Sequence, residues 1–182
     1  MIQKLLLVIT NIMIINCCHS QSVYERQIND ISGNAMKMKS FFGSKVFFII
    51  APLSATDSLK LQQLHTLQAN YGTTIKLIGI VSREDGFIDG SQSALKKLYE
   101  QYEIAITLTE PVYTRKTTSL QSSLMQWLTN RSLNFRSDQD VKGIGQVFYI
   151  TEGGSLSAVI PPGASLASSG LATILNRTTP SL

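Results

Sequence analysis

Two apolar, β-rich runs separated by one helical stripe constrain this chain more than any other feature. Val46-Phe47-Phe48-Ile49-Ile50 contains no polar residue, the pattern of a strand buried on both faces. Pro52 ends it. Leu61, Leu64, Leu67 and Tyr71 then recur at helical spacing. Thr56 or Asp57 is placed to cap the start, and Gly72 stands just past the end. The second run is Ile75-Lys76-Leu77-Ile78-Gly79-Ile80-Val81. Strand, helix and strand of this length close into a right-handed parallel crossover.

The remainder extends that unit. A polar loop over 82–90 leads to a helix over 91–102, with Leu95, Leu98 and Tyr102 on one face. A short strand is expected at 104–108, then a helix over 119–129 burying Leu120, Leu124, Trp127 and Leu128. Residues 146–150, the turn Thr151-Glu152-Gly153-Gly154 and residues 155–160 read as a β-hairpin, the Gly pair supplying positive φ. Pro161-Pro162-Gly163 stops the second strand, and Ser165 opens a last helix through Leu175. Near the start, Ile31-Ser32-Gly33-Asn34-Ala35 is a turn between two short strands. The order implies an α/β domain, a mixed central β-sheet flanked by α-helices.

Residues 1–20 have the layout of a secretory signal. Lys4 gives a positive start, and the apolar run to Ile15 is broken only by Thr10 and Asn11. The polar tail Asn16-Cys17-Cys18-His19-Ser20 follows. Cleavage after Ser20 leaves a domain at 21–182 that is exported, periplasmic or extracellular, with no membrane span. A lipid anchor on Cys17 or Cys18 is the alternative, and an uncleaved anchor the third reading. Both cysteines of the chain lie in this segment, so the domain has no disulfide and depends on its core. About 160 residues suffice for one such core.

The net charge of +4 arises from sixteen Lys and Arg against twelve acids, scattered without a basic run longer than two. Nucleic acid binding needs a clustered footprint, so it is set aside. Sequons stand at Asn130 and Asn176 and matter only in a host that glycosylates exported proteins.

Several stretches together resemble the glutathione peroxidase family. The 31–35 turn followed by Met38-Lys39-Ser40-Phe41-Phe42-Gly43-Ser44-Lys45 resembles its opening, and Leu64-His65-Thr66-Leu67-Gln68-Ala69-Asn70-Tyr71 its first helix. Residues 75–79 resemble the strand before its glutamine motif, Met125-Gln126-Trp127-Leu128 its tryptophan-bearing helix, and 146–160 its closing hairpin. The resemblance implies a thioredoxin-like fold and, in the family, a cysteine or selenocysteine assisted by Gln, Trp and Asn. Carried over by position, the nucleophile falls on Ala55, the glutamine on Glu84, and the tryptophan and asparagine near Gly143 and Ile144. All four are changed. Ser54 and Thr56 cannot substitute, because an alcohol neither ionises readily nor cycles through a sulfenic acid.

The expectation is therefore a domain without peroxidase chemistry, a pseudoenzyme binding an unidentified protein or small molecule, with no catalytic residue and no cofactor. The alternatives are a peroxide-detoxifying oxidoreductase, as family membership implies, and an exported thioredoxin-fold binding module of another family. Ser54, Thr56, Asp57 and Glu84 can converge at the strand ends, where such sheets take ligands, but a helix cap and solvated loop acids are the preferred reading, since Thr or Asp at a helix start is ordinary capping. His65 has no second imidazole or nucleophile beside it after cleavage and reads as a solvated helix residue. Glu84, Asp85 and Asp89 lack a full oxygen-ligand set for a cation, and Arg83 sits among them. Trp127 reads as core.

Overall fold

The strand runs form the centre of a five-stranded sheet. The computed structural model describes residues 22–166 and 169–175. Residues 1–20, expected to be a signal, with Cys17 and Cys18, and the sequon at Asn176 lie outside these residues. The strands are β1 (Lys45–Ile50), β2 (Ile75–Ile80), β3 (Thr107–Leu108), β4 (Val147–Ile150) and β5 (Leu156–Ile160), in the order β3-β2-β1-β4-β5. β1, β2 and β3 are parallel, and β4 and β5 run antiparallel. The helices are α1 (Ser58–Tyr71), α2 (Gln92–Gln101), α3 (Ser123–Thr129), α4 (Arg131–Asn134) and α5 (Ser169–Leu175). The mixed sheet with helices on both faces is the architecture expected from the element order.

Why β1 lacks polar residues is visible in its two faces. Val46, Phe48 and Ile50 enter one apolar core with Ile78, Phe148, Trp127 and Leu124. Phe47 and Ile49 enter the other with Leu61, Leu64, Leu67, Leu95 and Tyr149. Alternate side chains of a strand point to opposite faces, so a strand covered on both sides must be apolar throughout. The βαβ unit is as expected, with Phe48 opposite Ile78 in register. Among the described residues no helix is long and apolar enough to cross a membrane.

Several local expectations are corrected. The helix expected over 119–129 begins only at Ser123, and Leu120 is 63% exposed. Ser122 accepts the Met125 amide as N-cap, while Gln121 bridges to Tyr113, so the preceding residues are committed to other backbone bonds. In α2, Leu95, Leu98 and, just past its end, Tyr102 pack on one core as expected, and the unforeseen residue is Tyr99, buried with Leu95. The buried Tyr99 hydroxyl donates to the Pro52 carbonyl, which a tyrosine permits and a leucine pattern does not signal. The strand expected at 104–108 pairs only through Thr107 and Leu108. Of the glycine pair only Gly154 adopts positive φ. The last helix opens at Ser169, after a turn that buries Leu166. Gly72 ends α1 in right-handed conformation, so room decides for glycine: a Cβ there would lie 2.6 Å from the Gln68 carbonyl oxygen.

The 31–35 turn is confirmed by an antiparallel bridge between Asn29 and Ala35. Its organiser was not foreseen. Asp30 accepts the amides of Ser32 and Asn34 at 2.8 and 2.9 Å, the local bonding that makes aspartate a turn residue.

Candidate functional site

Crossing parallel strands leave a crevice beyond their carboxyl ends, where neighbouring loops diverge. Here that crevice is a half-open cleft of about 670 Å³. One wall is the segment after β1, from Leu53 to Asp57. The other is the loop after β2 with α2, including Asp85, Phe87 and Leu98, and Ile144 closes one end. A shallower hollow of about 600 Å³ lies at the opposite, amino end of β2, beside Lys76 and Thr107.

Ala55 is exposed at the first position of a 3-10 turn, Ala55–Asp57, that runs into α1. Two of the four positions singled out from the sequence, Ala55 and Ile144, line the cleft. Ser54 and Thr56 line it too, their hydroxyl oxygens 2.5 Å apart. Asp57 occupies the N-cap position of α1 but makes no side-chain cap bond. Its Oδ2 accepts the Leu53 amide at 3.3 Å instead, tying down the loop in front of the helix.

Glu84 does not join them. Its carboxylate accepts the backbone N–H of Thr114 and Arg115 at 2.9–3.0 Å and the hydroxyls of Ser82 and Thr114 at 3.2 Å. Glu84 therefore does not converge with Ser54, Thr56 and Asp57, which agrees with the preferred reading against a shared polar pocket, although its carboxylate is bonded to the backbone and not left to solvent. Glu84 clamps residues 114–115 to the β2 loop, because four donors outside the cleft claim its oxygens. Burial pushes its carboxyl up, but the amides of Arg115 and Thr114 more than offset this and hold it below the ordinary value.

The sign of the resulting pH dependence follows. A folded-state value below the unfolded one means the unfolded chain takes up the proton first. The stabilisation is complete above the unfolded carboxyl value, roughly 4.3, and is lost as pH falls through the folded value. Glu84→Gln is expected to flatten the acid limb of a plot of urea midpoint against pH, measured from neutral to acid conditions. Acid limbs that run parallel in the two proteins would contradict the clamp.

Asp85 was missed as a cleft residue. Its side chain is 9% exposed and its Oδ1 accepts from Arg115 Nη2 at 2.6 Å. Nothing in the sequence separates it from Glu84 beside it, since only the loop's path turns one inward and the other away. Asp89 pairs with Arg83 at 2.9 Å, so the acidic trio is divided: Glu84 and Asp85 take the backbone and the side chain of Arg115, and Asp89 faces Arg83. Among the described residues no cluster of three or more His, Cys, Asp or Glu is gathered as for a metal. Gly143 has φ +139°, and the nearest atom to a Cβ built there is Asp85 Oδ1 at 3.8 Å. The Ile144 carbonyl accepts from Lys60 Nζ at 2.8 Å, which fixes that end of the cleft to α1. His65 is exposed, its Nδ1 3.0 Å from the Tyr102 carbonyl oxygen. Trp127 is fully buried, as expected.

No protein-family model and no curated protein matches this sequence. Solved structures do. GPX1 of T. cruzi superposes with a TM-score of 0.64 over 85% of this chain and 94% of its own, at 15% identity. Trgpx in its apo form gives 0.64 over 85% and 93%, at 11% identity. A thioredoxin-family thiol:disulfide interchange protein from Chlorobium tepidum gives 0.51 over 78% and 85%, at 15% identity. The fold is thioredoxin-like. At these identities the likeness concerns the backbone, and the site must be judged on its own side chains.

Proposed function

We propose that this chain is an exported domain of glutathione-peroxidase type that has lost peroxide chemistry and retains its cleft for binding. The observation that carries the reading is the alanine at position 55. It stands exposed at the head of a cleft at the strand ends, in a domain whose sequence from residue 21 onward contains no cysteine. Thiol peroxidases need a thiolate there, and neither Ser54 nor Thr56 can supply one. The positions that match the family site are Ala55, Glu84, Gly143 and Ile144, none of them a nucleophile or an uncharged side-chain donor, and only Ala55 and Ile144 line the cleft.

The purified protein, given hydrogen peroxide or an organic hydroperoxide with glutathione or thioredoxin as reductant, is expected to consume no peroxide above a protein-free blank. Turnover that persists after metal removal and repurification would overturn the proposal in favour of a peroxide-detoxifying oxidoreductase. Ala55→Cys should yield a thiol that alkylates readily, since position 55 is exposed at a helix start. Its peroxidase rate should stay low, because the other positions that match the family site, Glu84, Gly143 and Ile144, supply no uncharged side-chain donor to assist the thiol.

Export is part of the proposal, supported by the charged start, apolar run and polar tail of residues 1–20. Protein recovered outside the cytosol should have the mass of a chain beginning at or near Gln21 and titrate no free thiol. A diacylglycerol mass on Cys17 or Cys18 would move the assignment to a lipoprotein.

A further inference from the structure

We infer that the pole of the domain carrying Phe42, at the amino ends of β1 and β2, rests on a membrane surface rich in anionic lipid. Phe42 is 71% exposed. A tight turn presents it: the Ser44 N–H donates to the Phe41 carbonyl at 3.0 Å, and Gly43 takes φ +81°. Lysines separated in sequence gather around this turn. Lys37 and Lys39 flank the buried Met38 at the 3-10 turn Met38–Phe41 that leads into it, and both are exposed. Lys76, also exposed, lines the same hollow as Phe41. None of the three makes an ion pair among the described residues. Against them stand Glu152, paired with Lys45 at 3.6 Å, and the exposed Glu25 next to Tyr24. An exposed ring among unpaired ammonium groups suits a lipid interface, where the ring enters the headgroup layer and the cations meet lipid phosphates.

The course of the chain favours a membrane over a protein partner, on the export reading above. Phe42 meets the Tyr24 ring edge-on at 5.7 Å, and Tyr24 follows closely on Ser22, where the described part begins. The apolar run of the expected signal ends at Ile15. From there to Ser22 a fully extended chain spans at most about 25 Å. While that run is in the bilayer, or with a lipid held on Cys17 or Cys18, Ser22 and the Phe42 pole are therefore kept next to the surface.

The exported protein is tested by sedimentation at low salt with two kinds of vesicle, equal parts phosphatidylglycerol and phosphatidylcholine, and phosphatidylcholine alone. Half-binding to the anionic vesicles is expected at about 1 mM lipid, the affinity that three lysines and one ring support. Binding to phosphatidylcholine should be about tenfold weaker or worse. Lys37→Glu and Lys39→Glu should each weaken anionic binding about fivefold or more, the worth of one lysine near such a surface. Phe42→Trp reads insertion and keeps the test decisive should a charge reversal fail to fold. The introduced indole should shift to the blue and be quenched by brominated lipid, while Trp127, fully buried, should escape quenching in the wild type. Equal binding to both vesicles, no sedimentation of the wild type, or binding unchanged by the two lysine reversals together would each overturn the inference. Sedimentation with an unquenched indole would mean attraction to negative charge alone and would overturn the membrane assignment. Export is judged separately, by the mass test above, so the two failures are distinct.

Discussion

Phe48→Ala is expected to destabilise the domain by about 3–5 kcal/mol, the usual range for an emptied aromatic core site. Phe48 is fully buried at the middle of β1, paired in register with Ile78 on β2 and Phe148 on β4, and α3 brings Trp127 and Leu124 into the same core. Neighbouring strands hold its surroundings on both sides, so the backbone has little freedom to collapse into the void. Ile78→Ala should cost about 2–5 kcal/mol for the same reason. Because the two side chains are cross-strand neighbours, the double variant should fall short of the sum of the singles, as residues sharing a cavity do. A domain of this size has only about 5–15 kcal/mol to lose, so each single change should visibly lower the urea midpoint. A near-neutral Phe48→Ala would mean that β1 is not at the centre of the sheet. Dithiothreitol should leave the midpoint of the cysteine-free domain where it is.

Gly154→Ala is expected to cost about 2–5 kcal/mol from a single added methyl group, combining about 1–2 for a left-handed L-residue with about 1–3 for overpacking. Gly154 has φ +83°, and a Cβ there would lie 2.5 Å from both Ser22 Oγ and Tyr24 Cε2. The tyrosine cannot easily yield. Its ring is buried and packs edge-on to Phe42, and its hydroxyl donates to the carbonyls of Phe41 and Glu152 at 3.3 and 3.2 Å. The methyl group should therefore lever residues 22–25 off the β4–β5 turn before the sheet itself gives way. Limited proteolysis should find new cleavage near Tyr24 together with the lowered midpoint. An unchanged midpoint and cleavage pattern would show that the turn and the N-terminal segment do not constrain each other.

The gap between cleft and sequence comes from two adjacent residues. Glu84 and Asp85 are equivalent acids in a polar loop until the chain is folded. Then 114–115 passes close enough to one side for Glu84 to collect its two amides, while Asp85 is turned to Arg115 and the cleft. Contacts between loops thirty residues apart have no local periodicity to announce them. The same holds for Leu120, whose helical spacing with Leu124 is overridden by the Gln121–Tyr113 bridge and the Ser122 cap.

What the sequence determined by itself is the βαβ core, the closing hairpin and the absence of a thiol from 21–182. The first two follow because burial on both faces of a strand, or on one stripe of a helix, must be written in residue order. The last follows because chemistry cannot exceed the side chains present. Only the tertiary structure decided that a cleft remains open over Ala55, that Ile144 closes it, that Glu84 serves the backbone, and that Asp85 pairs with Arg115 at the cleft wall. Each of these depends on where separate loops come to rest at one end of the sheet, and that is settled by packing and by competition for hydrogen-bond donors across long sequence separations.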